Sequence, residues 1–305
     1  MGETPVFPDF KRLEIEDREV LHPRLWDYQP ETSELTFSNL YLWRSYYQFE
    51  WSIHEDWLLI VANEREGGVF GLPPVGPASR TDVTIRFLSL LRDERGVASP
   101  IISRADQRLA DELAEEQALT ITATRDHFDY VYLAEDLAEL SGRKYSGKRN
   151  HINQFTRYYR SEYKPVTPEL VDECIALAEV WCEQRLCEDD LSLQHELSGI
   201  EDALKNFETL RLDGGAILVR GKVQAFALGE LLNDDTAVVH IEKANPEFKG
   251  IYPTMTKVYA DRWLKESAYI NLEQDLGEPG LRRAKESYYP DHMSKKYEVR
   301  LAESE

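Results

Sequence analysis

From Phe49 the chain alternates apolar and polar residues, turns at His54-Glu55-Asp56 and resumes in the apolar run that begins at Trp57, a pattern that predicts two paired strands. Val69 to Gly76 reads as a short strand broken by prolines. Val83, Phe87, Leu90 and Leu91 then fall at helical spacing, with Asp82 as the expected amino-terminal cap and Gly96 as the stop. Ser99 to Ser103 predicts a strand, Asp106 to Glu116 a helix, and Leu119 to Leu133 one or two strands. A similar order follows further on. Tyr163 to Val166 reads as a strand, Pro168 to Arg185 and Leu193 to Thr209 as helices, and Ala216 to Pro246 as three antiparallel strands turning at Arg220-Gly221-Lys222 and Asn233-Asp234-Asp235. Pro253 to Ser267 predicts a helix, Tyr269 to Gln274 a strand, Gly280 to Tyr288 a helix, and Lys296 to Ala302 a last strand. The order repeats without sequence identity, so the expected organisation is an α/β (α+β) duplication: residues 1–140, a connecting helix over 141–161, and residues 162–305.

Composition narrows the class. A chain of 305 residues with 42% hydrophobic content is too apolar for disorder and long enough for two cores. The formal net charge of −20 argues against a general DNA-coating role. Cys174, Cys182 and Cys187 follow no disulfide framework and no zinc spacing, so the expectation is reduced, packed thiols and no metal site. The amino terminus lacks a basic lead and an apolar core, and Val6 stands where myristoylation needs Ser or Thr, so neither a secretory leader nor that lipid anchor is expected. The apolar run at Trp57 is far too short to cross a bilayer. Together these features predict a cytoplasmic protein. They leave its oligomeric state open.

One stretch breaks the acidic pattern. Between Leu140 and Glu162 no acidic residue occurs, while Arg143, Lys144, Lys148, Arg149, Arg157 and Arg160 do. Ile152, Phe155 and Tyr159 share a helical stripe, so the island reads as a helix starting near Ser146 or Gly147. Lys148, Arg149, Asn150 and His151 would lie at its start, where cations and backbone amides together suit phosphate or carboxylate. The same cations could instead pair with acidic surface.

Two further constellations carry chemistry. Strand alternation would put His240 and Glu242 on one face, a base beside its partner, and the following Asn245, Lys249 and Gly250 form a strand-to-helix loop suited to an anion. Gln274 and Asp275 follow a strand, while Arg282, Lys285 and Tyr288 recur at three-residue steps on the next helix, placing a carboxylate, two cations and a phenol at one rim.

Four segments resemble a family: Phe37 to Tyr47 (FSNLYLWRSYY), Gly142 to Phe155 (GRKYSGKRNHINQF), His240 to Gly250 (HIEKANPEFKG) and Asn271 to Pro290 (NLEQDLGEPGLRRAKESYYP). They look like blocks of the bacterial phosphatidylglycerol lysyltransferase C-terminal-like proteins, similar in fold to tandem GNAT acyltransferases and Fem-type aminoacyltransferases. The resemblance implies two tandem GNAT-like domains, each a mixed, mainly antiparallel sheet flanked by helices. It places the donor on Val238 through Thr256, with Glu242 as general base and Tyr288 as general acid. The usual donor loop has a base three residues before its first glycine and glycine or alanine two after; here Glu247 and Tyr252 stand there, which weighs against coenzyme A. The membrane-spanning part of the lipid lysyltransferases is not seen in the sequence, so lipid modification is not implied. The expected function is therefore transfer of an activated acyl group, from aminoacyl-tRNA or acyl-CoA as co-substrate, to an amine or hydroxyl, with no tightly bound cofactor. The alternatives are a non-catalytic module that senses a small anion on the same fold, and an interaction protein with an empty cleft.

Overall fold

A computed structural model describes residues 4–64, 67–263 and 266–302, the side chain of Glu188 excepted. Two compact units result, one formed by Met1–Asp129, Gln274–Glu278 and Met293–Glu305, the other by Tyr130–Glu273 and Pro279–His292.

The first unit is built on β1 (Lys11–Arg12), β2 (Glu50–His54), β3 (Trp57–Glu64), β4 (Gly68–Gly71), β5 (Ile101–Ala105), β6 (Leu119–Ala123) and the far strand β14 (Tyr297–Leu301). Their order is β1-β2-β3-β4-β5-β14-β6, antiparallel except for the β4/β5 pair. Helices α1 (Arg18–Tyr28), α2 (Phe37–Tyr47), α3 (Thr81–Asp93) and α4 (Gln107–Glu112) accompany it. Val83, Phe87, Leu90 and Leu91 of α3 enter a core with Leu59, Val61, Ile102 and Val299, as their spacing requires. Asp82 is not the cap of α3. Arg80 occupies that position and Asp82 lies within the first turn, where a carboxylate still favours the helix dipole. Asp106 does cap α4, accepting from the Leu109 amide at 2.8 Å.

The second unit contains β7 (Asp129–Leu133), α5 (Ala134–Glu139), α6 (Ser146–Tyr158), β8 (Ser161–Pro165), α7 (Val171–Gln184), α8 (Leu191–Lys205), α9 (Phe207–Leu210), β9 (Asp213–Val219), β10 (Lys222–Leu231), β11 (Thr236–Ala244), α10 (Ile251–Trp263), β12 (Tyr269–Asn271) and α11 (Pro279–Glu286). Its sheet runs β7-β12-β11-β10-β9-β8. β11 and β12 pair in parallel, while β12/β7 and the β8 to β11 ladder are antiparallel. Arg220 and Gly221, both at positive φ, close the β9/β10 hairpin between the paired residues Val219 and Lys222, the backbone a two-residue turn of matching twist demands. From α11 the chain passes through β13 (His292–Ser294) to β14.

The fold is thus the expected α/β (α+β) class, two mixed, mainly antiparallel sheets each flanked by helices. Sequence order suggests divisions at 140 and 162, whereas Tyr130 to Leu133 contribute to the second sheet and Tyr297 to Leu301 to the first. The predicted continuation of α10 over Leu264 and Lys265, and the first three residues of the amino terminus, lie outside the described residues. Among the described residues no helix is long and apolar enough to cross a membrane, and no group of three or more His, Cys, Asp or Glu is placed to hold a metal ion.

The thiols depart from expectation. Cys182, at the end of α7, is bonded to Cys187, their Cα atoms 5.3 Å apart, while Cys174 is free and buried. The chain folds back between them through Leu186, which takes a left-handed conformation at φ 55°, and a five-residue spacing with such a reversal brings two thiols together.

Candidate functional site

The second unit gathers four polar side chains around the middle of β11. Glu242, opposite Ala227 in the ladder, faces α10, where the Thr256 hydroxyl lies 3.1 and 3.2 Å from its two carboxylate oxygens. The Tyr288 hydroxyl, just past α11, stands 3.5 Å from the same Thr256 oxygen. Thr256 therefore accepts from Tyr288 while donating to Glu242. From α6, Lys148 lays its ammonium over the Tyr288 ring, 3.5 Å from its centre. Beside Glu242 a cavity of about 10 Å³ opens among Leu137, Val239, Tyr259 and Ile270, room for about one water molecule.

Burial governs the protonation of this group. It pushes the Glu242 carboxyl up to about 7, against the opposing pull of the Thr256 hydroxyl and of the Lys148 and Lys285 ammonium groups. Burial likewise lowers Lys148 to about 8, with Glu242 drawing it back. The Tyr288 phenol is raised, first by burial and then by the Glu242 charge, so it stays protonated. A carboxyl near neutrality, a phenol held as a donor and a hydroxyl linking them can pass a proton in either direction.

His240 does not join Glu242. The ladder slips between Leu228, opposite Ile241, and Gly229, opposite Val239, leaving His240 as the extra residue of a bulge. The strict alternation that would have placed both on one face is interrupted there. His240 instead lies between two carboxylates, Nδ1 at 2.8 Å from Glu273 and Nε2 at 3.0 Å from Glu230. Burial alone would lower its pKa; the two carboxylates outweigh that and hold it at about 9.

The island helix divides its cations among several tasks. Lys148 enters the site. Arg149 donates to the carbonyls of Leu140 and Gly142, closing the turn after α5. Lys144 pairs with Asp136 at 2.9 Å. Asn150 and His151 are exposed, as are Arg143, Arg157 and Arg160, for which no ion pair is found among the described residues. Asn245 turns inward to its own loop, bonding the Gln224 side chain at 3.1 Å and the Glu247 amide at 3.0 Å. Lys249 is exposed. Gly250, at φ +91°, presses on α6: a Cβ there would meet the His151 carbonyl oxygen at 2.2 Å. Phe248 packs edge-on against Tyr159, ring centres 4.8 Å apart. The loop before α10 is thus covered by α6 from within its own unit.

The third constellation separates. Lys285 remains in the second unit, its Nζ donating to the Leu272 carbonyl and its charge acting on Glu242. Arg282, on α11, is half-buried. Gln274 and Asp275 belong to the first unit. Asp275 is buried and accepts from the Gly277 amide at 2.9 Å and from Arg125 at 3.3 Å. Gln274 stands 3.4 Å from the ammonium of Lys296, which is fully buried and paired with Asp129 and Glu34, each at 2.6 Å. The exposed rim expected of this segment is replaced there by buried, internally satisfied charge.

A sequence model of the family "Phosphatidylglycerol lysyltransferase, C-terminal" matches residues 27–300. The chain belongs to this family. A conserved protein of unknown function from Bacteroides thetaiotaomicron, itself 34% identical, superposes with a TM-score of 0.88 over 96% of this chain and 99% of that one. Two structures share the fold at 14% identity. They are the C-terminal domain of a putative lysylphosphatidylglycerol synthetase from Agrobacterium fabrum (TM-score 0.68, 94% of this chain and 92% of that one) and L-PGS from Bacillus licheniformis (0.67, 100% and 95%). An uncharacterised protein of Mycoplasmoides gallisepticum is 24% identical over 179 residues, 57% of this chain and 56% of that relative, so the match spans little more than half of the relative's length.

Within this member of the phosphatidylglycerol lysyltransferase C-terminal family, sequence reasoning missed Thr256 and its neighbours. Tyr252 and Thr256 stand four apart on α10, and the Thr256 hydroxyl also lies 3.1 Å from the Tyr252 carbonyl. The Tyr252 hydroxyl accepts from the Trp181 indole at 3.0 Å, and Lys243 stacks 3.5 Å above the same indole while pairing with Glu196. The available signal was the helix that follows Glu242: a hydroxyl at i and i+4 on its first turns, facing the strand it packs on.

Proposed function

We propose that this protein transfers an activated acyl group from an oxygen ester, of the aminoacyl-tRNA kind, to an amine or hydroxyl acceptor. The observation that carries the reading is the Glu242–Thr256–Tyr288 chain. Glu242, poised near neutrality, takes the proton of the acceptor as its nitrogen or oxygen attacks the ester carbonyl. The tetrahedral intermediate collapses with cleavage of the ester C–O bond, and Tyr288 gives its proton to the departing oxygen. Thr256 then donates to the Tyr288 phenolate and recovers a proton from Glu242, which returns all three groups to their starting states. The Lys148 ammonium, next to Tyr288 and Glu242, stabilises negative charge on the phenolate while it exists.

The ester donor is favoured over coenzyme A by the loop before α10. Gly250 is pressed on α6 and Phe248 on Tyr159 just beyond it, and an acid, Glu247, stands where a pyrophosphate would want a base. The exposed Arg143, Arg157 and Arg160 on and beside α6 suit an extended phosphate backbone. The family's description and the lysylphosphatidylglycerol synthetase relatives agree with an aminoacyl ester as donor.

The test is direct. The full chain is incubated with a mixed aminoacyl-tRNA pool and, separately, with acetyl-CoA, and consumption of each donor is followed with a panel of amines. Release of deacylated tRNA above the spontaneous rate, reduced about 10²- to 10⁴-fold in Glu242→Gln, supports the reading. Turnover of acetyl-CoA alone overturns the donor assignment, and turnover of neither donor overturns the enzymatic reading.

A further inference from the structure

The first unit holds a cavity of about 440 Å³, within the range of small-molecule sites and remote in sequence from Glu242. Its floor is a closed set of ion pairs. The Arg80 guanidinium is buried and held by Glu112, with Nη2 to Oε1 at 2.5 Å. Arg108 reaches Asp106 at 2.8 Å, and Asp106 in turn accepts from the Tyr28 hydroxyl at 3.0 Å. The centre of the Tyr28 ring is 5.4 Å from the Arg80 guanidinium and 4.5 Å from that of Arg108. The charges of this floor are matched among themselves.

The rim is different. Arg24, Asp27 and Asp56 line the same cavity, Arg24 half-buried and both aspartates exposed, and no ion pair or hydrogen bond is found for their side chains among the described residues. Arg24 and Asp27 sit three apart on α1, a spacing that permits pairing, yet they remain more than 4 Å apart. One guanidinium and two carboxylates therefore face a volume whose other charges are already matched. An anion would meet two repelling carboxylates, and a simple cation would leave Arg24 unmatched.

We propose that this cavity binds a small zwitterion, a free α-amino acid or short peptide, with its carboxylate on Arg24 and its ammonium between Asp27 and Asp56. Gly76 and Pro77 also line the cavity. With two carboxylates against one guanidinium, the ammonium end contributes more to affinity than the carboxylate end.

Calorimetry on the full chain with three probes tests this. L-alanyl-L-alanine carries both charges, alaninamide only the ammonium, and N-acetylalanine only the carboxylate. Saturable binding is expected for the dipeptide, weaker binding for alaninamide, and the weakest for N-acetylalanine. Arg24→Gln and Asp56→Asn, at positions without internal partners, should each weaken dipeptide binding roughly tenfold, while circular dichroism and melting stay unchanged. Glu242→Gln should bind the dipeptide as the parent does, which separates this site from the transfer reading. Absence of saturable dipeptide binding overturns the proposal. So does N-acetylalanine binding as tightly as the dipeptide, which would mark a plain anion site, or a dipeptide affinity indifferent to both rim substitutions.

Discussion

The ammonium of Lys148 stands 3.5 Å from the centre of the Tyr288 ring, and the phenol also feels the charge of Glu242. The ring face and the carboxylate both favour the cation; burial opposes them and prevails, leaving the lysine at about 8. At pH 7 about one Lys148 in ten is then the neutral amine, against fewer than about one in a thousand for an ordinary lysine. Brief acetic anhydride labelling at pH 7 followed by peptide mass spectrometry should therefore modify Lys148 ahead of the exposed Lys249, and the preference should shrink when labelling is repeated at pH 10.

The rate of transfer should rise with pH as Glu242 loses its proton, with a limb near 7, and fall again near 8 as Lys148 loses its charge. Glu242→Gln should abolish the lower limb together with most of the rate. Lys148→Met should lower the rate and remove the upper limb. A pH profile of kcat for the three proteins decides both.

His240 makes a separate, structural prediction. Its folded pKa of about 9 lies above the ordinary 6.5, so its contribution is fully present below about pH 6.5 and is lost as pH rises through 9. The linkage amounts to about 3 kcal/mol. Urea unfolding at pH 6 and pH 9 should show the parent weakening on that order, with a smaller difference in His240→Gln.

Gly250 is fixed by its surroundings as well as by its backbone. Gly250→Ala would drive a methyl into the His151 carbonyl from a left-handed conformation, so it should destabilise by about 2 kcal/mol or more. A fall in melting temperature checks this, and a drop in transfer rate in the same variant would tie the loop's seating on α6 to catalysis.

The Cys182–Cys187 bond is checked by counting thiols. In denaturant without reductant one cysteine, Cys174, should react with a thiol reagent, and all three after reduction.

Periodicity made most of the architecture legible. The α3 stripe, the β9 to β11 meander and the island helix all declare themselves by apolar spacing, because each buries one face against a sheet or a neighbouring helix. What periodicity cannot carry is a broken register. One extra residue at the bulge turned His240 away from Glu242, although Glu242, Lys148, Lys285 and Tyr288 are brought to one locality from three separate segments. Thr256 escaped because a threonine on a helix carries no chemical mark until the strand it faces is known. Gln274 and Asp275 were read together with the helix that follows them, yet the chain steps into the first unit for five residues there before returning. Such an excursion leaves no compositional trace.

The placement of β14 limits where the chain can be cut. It lies between β5 and β6, in the interior of its sheet, while β7, encoded before residue 140, completes the other sheet beside β12. A break anywhere in the connecting segment would leave one fragment with a gap in the middle of its sheet and the other short of a strand. The two halves of the chain thus cannot be exchanged as independent modules, because each sheet needs a strand that lies on the far side of any cut.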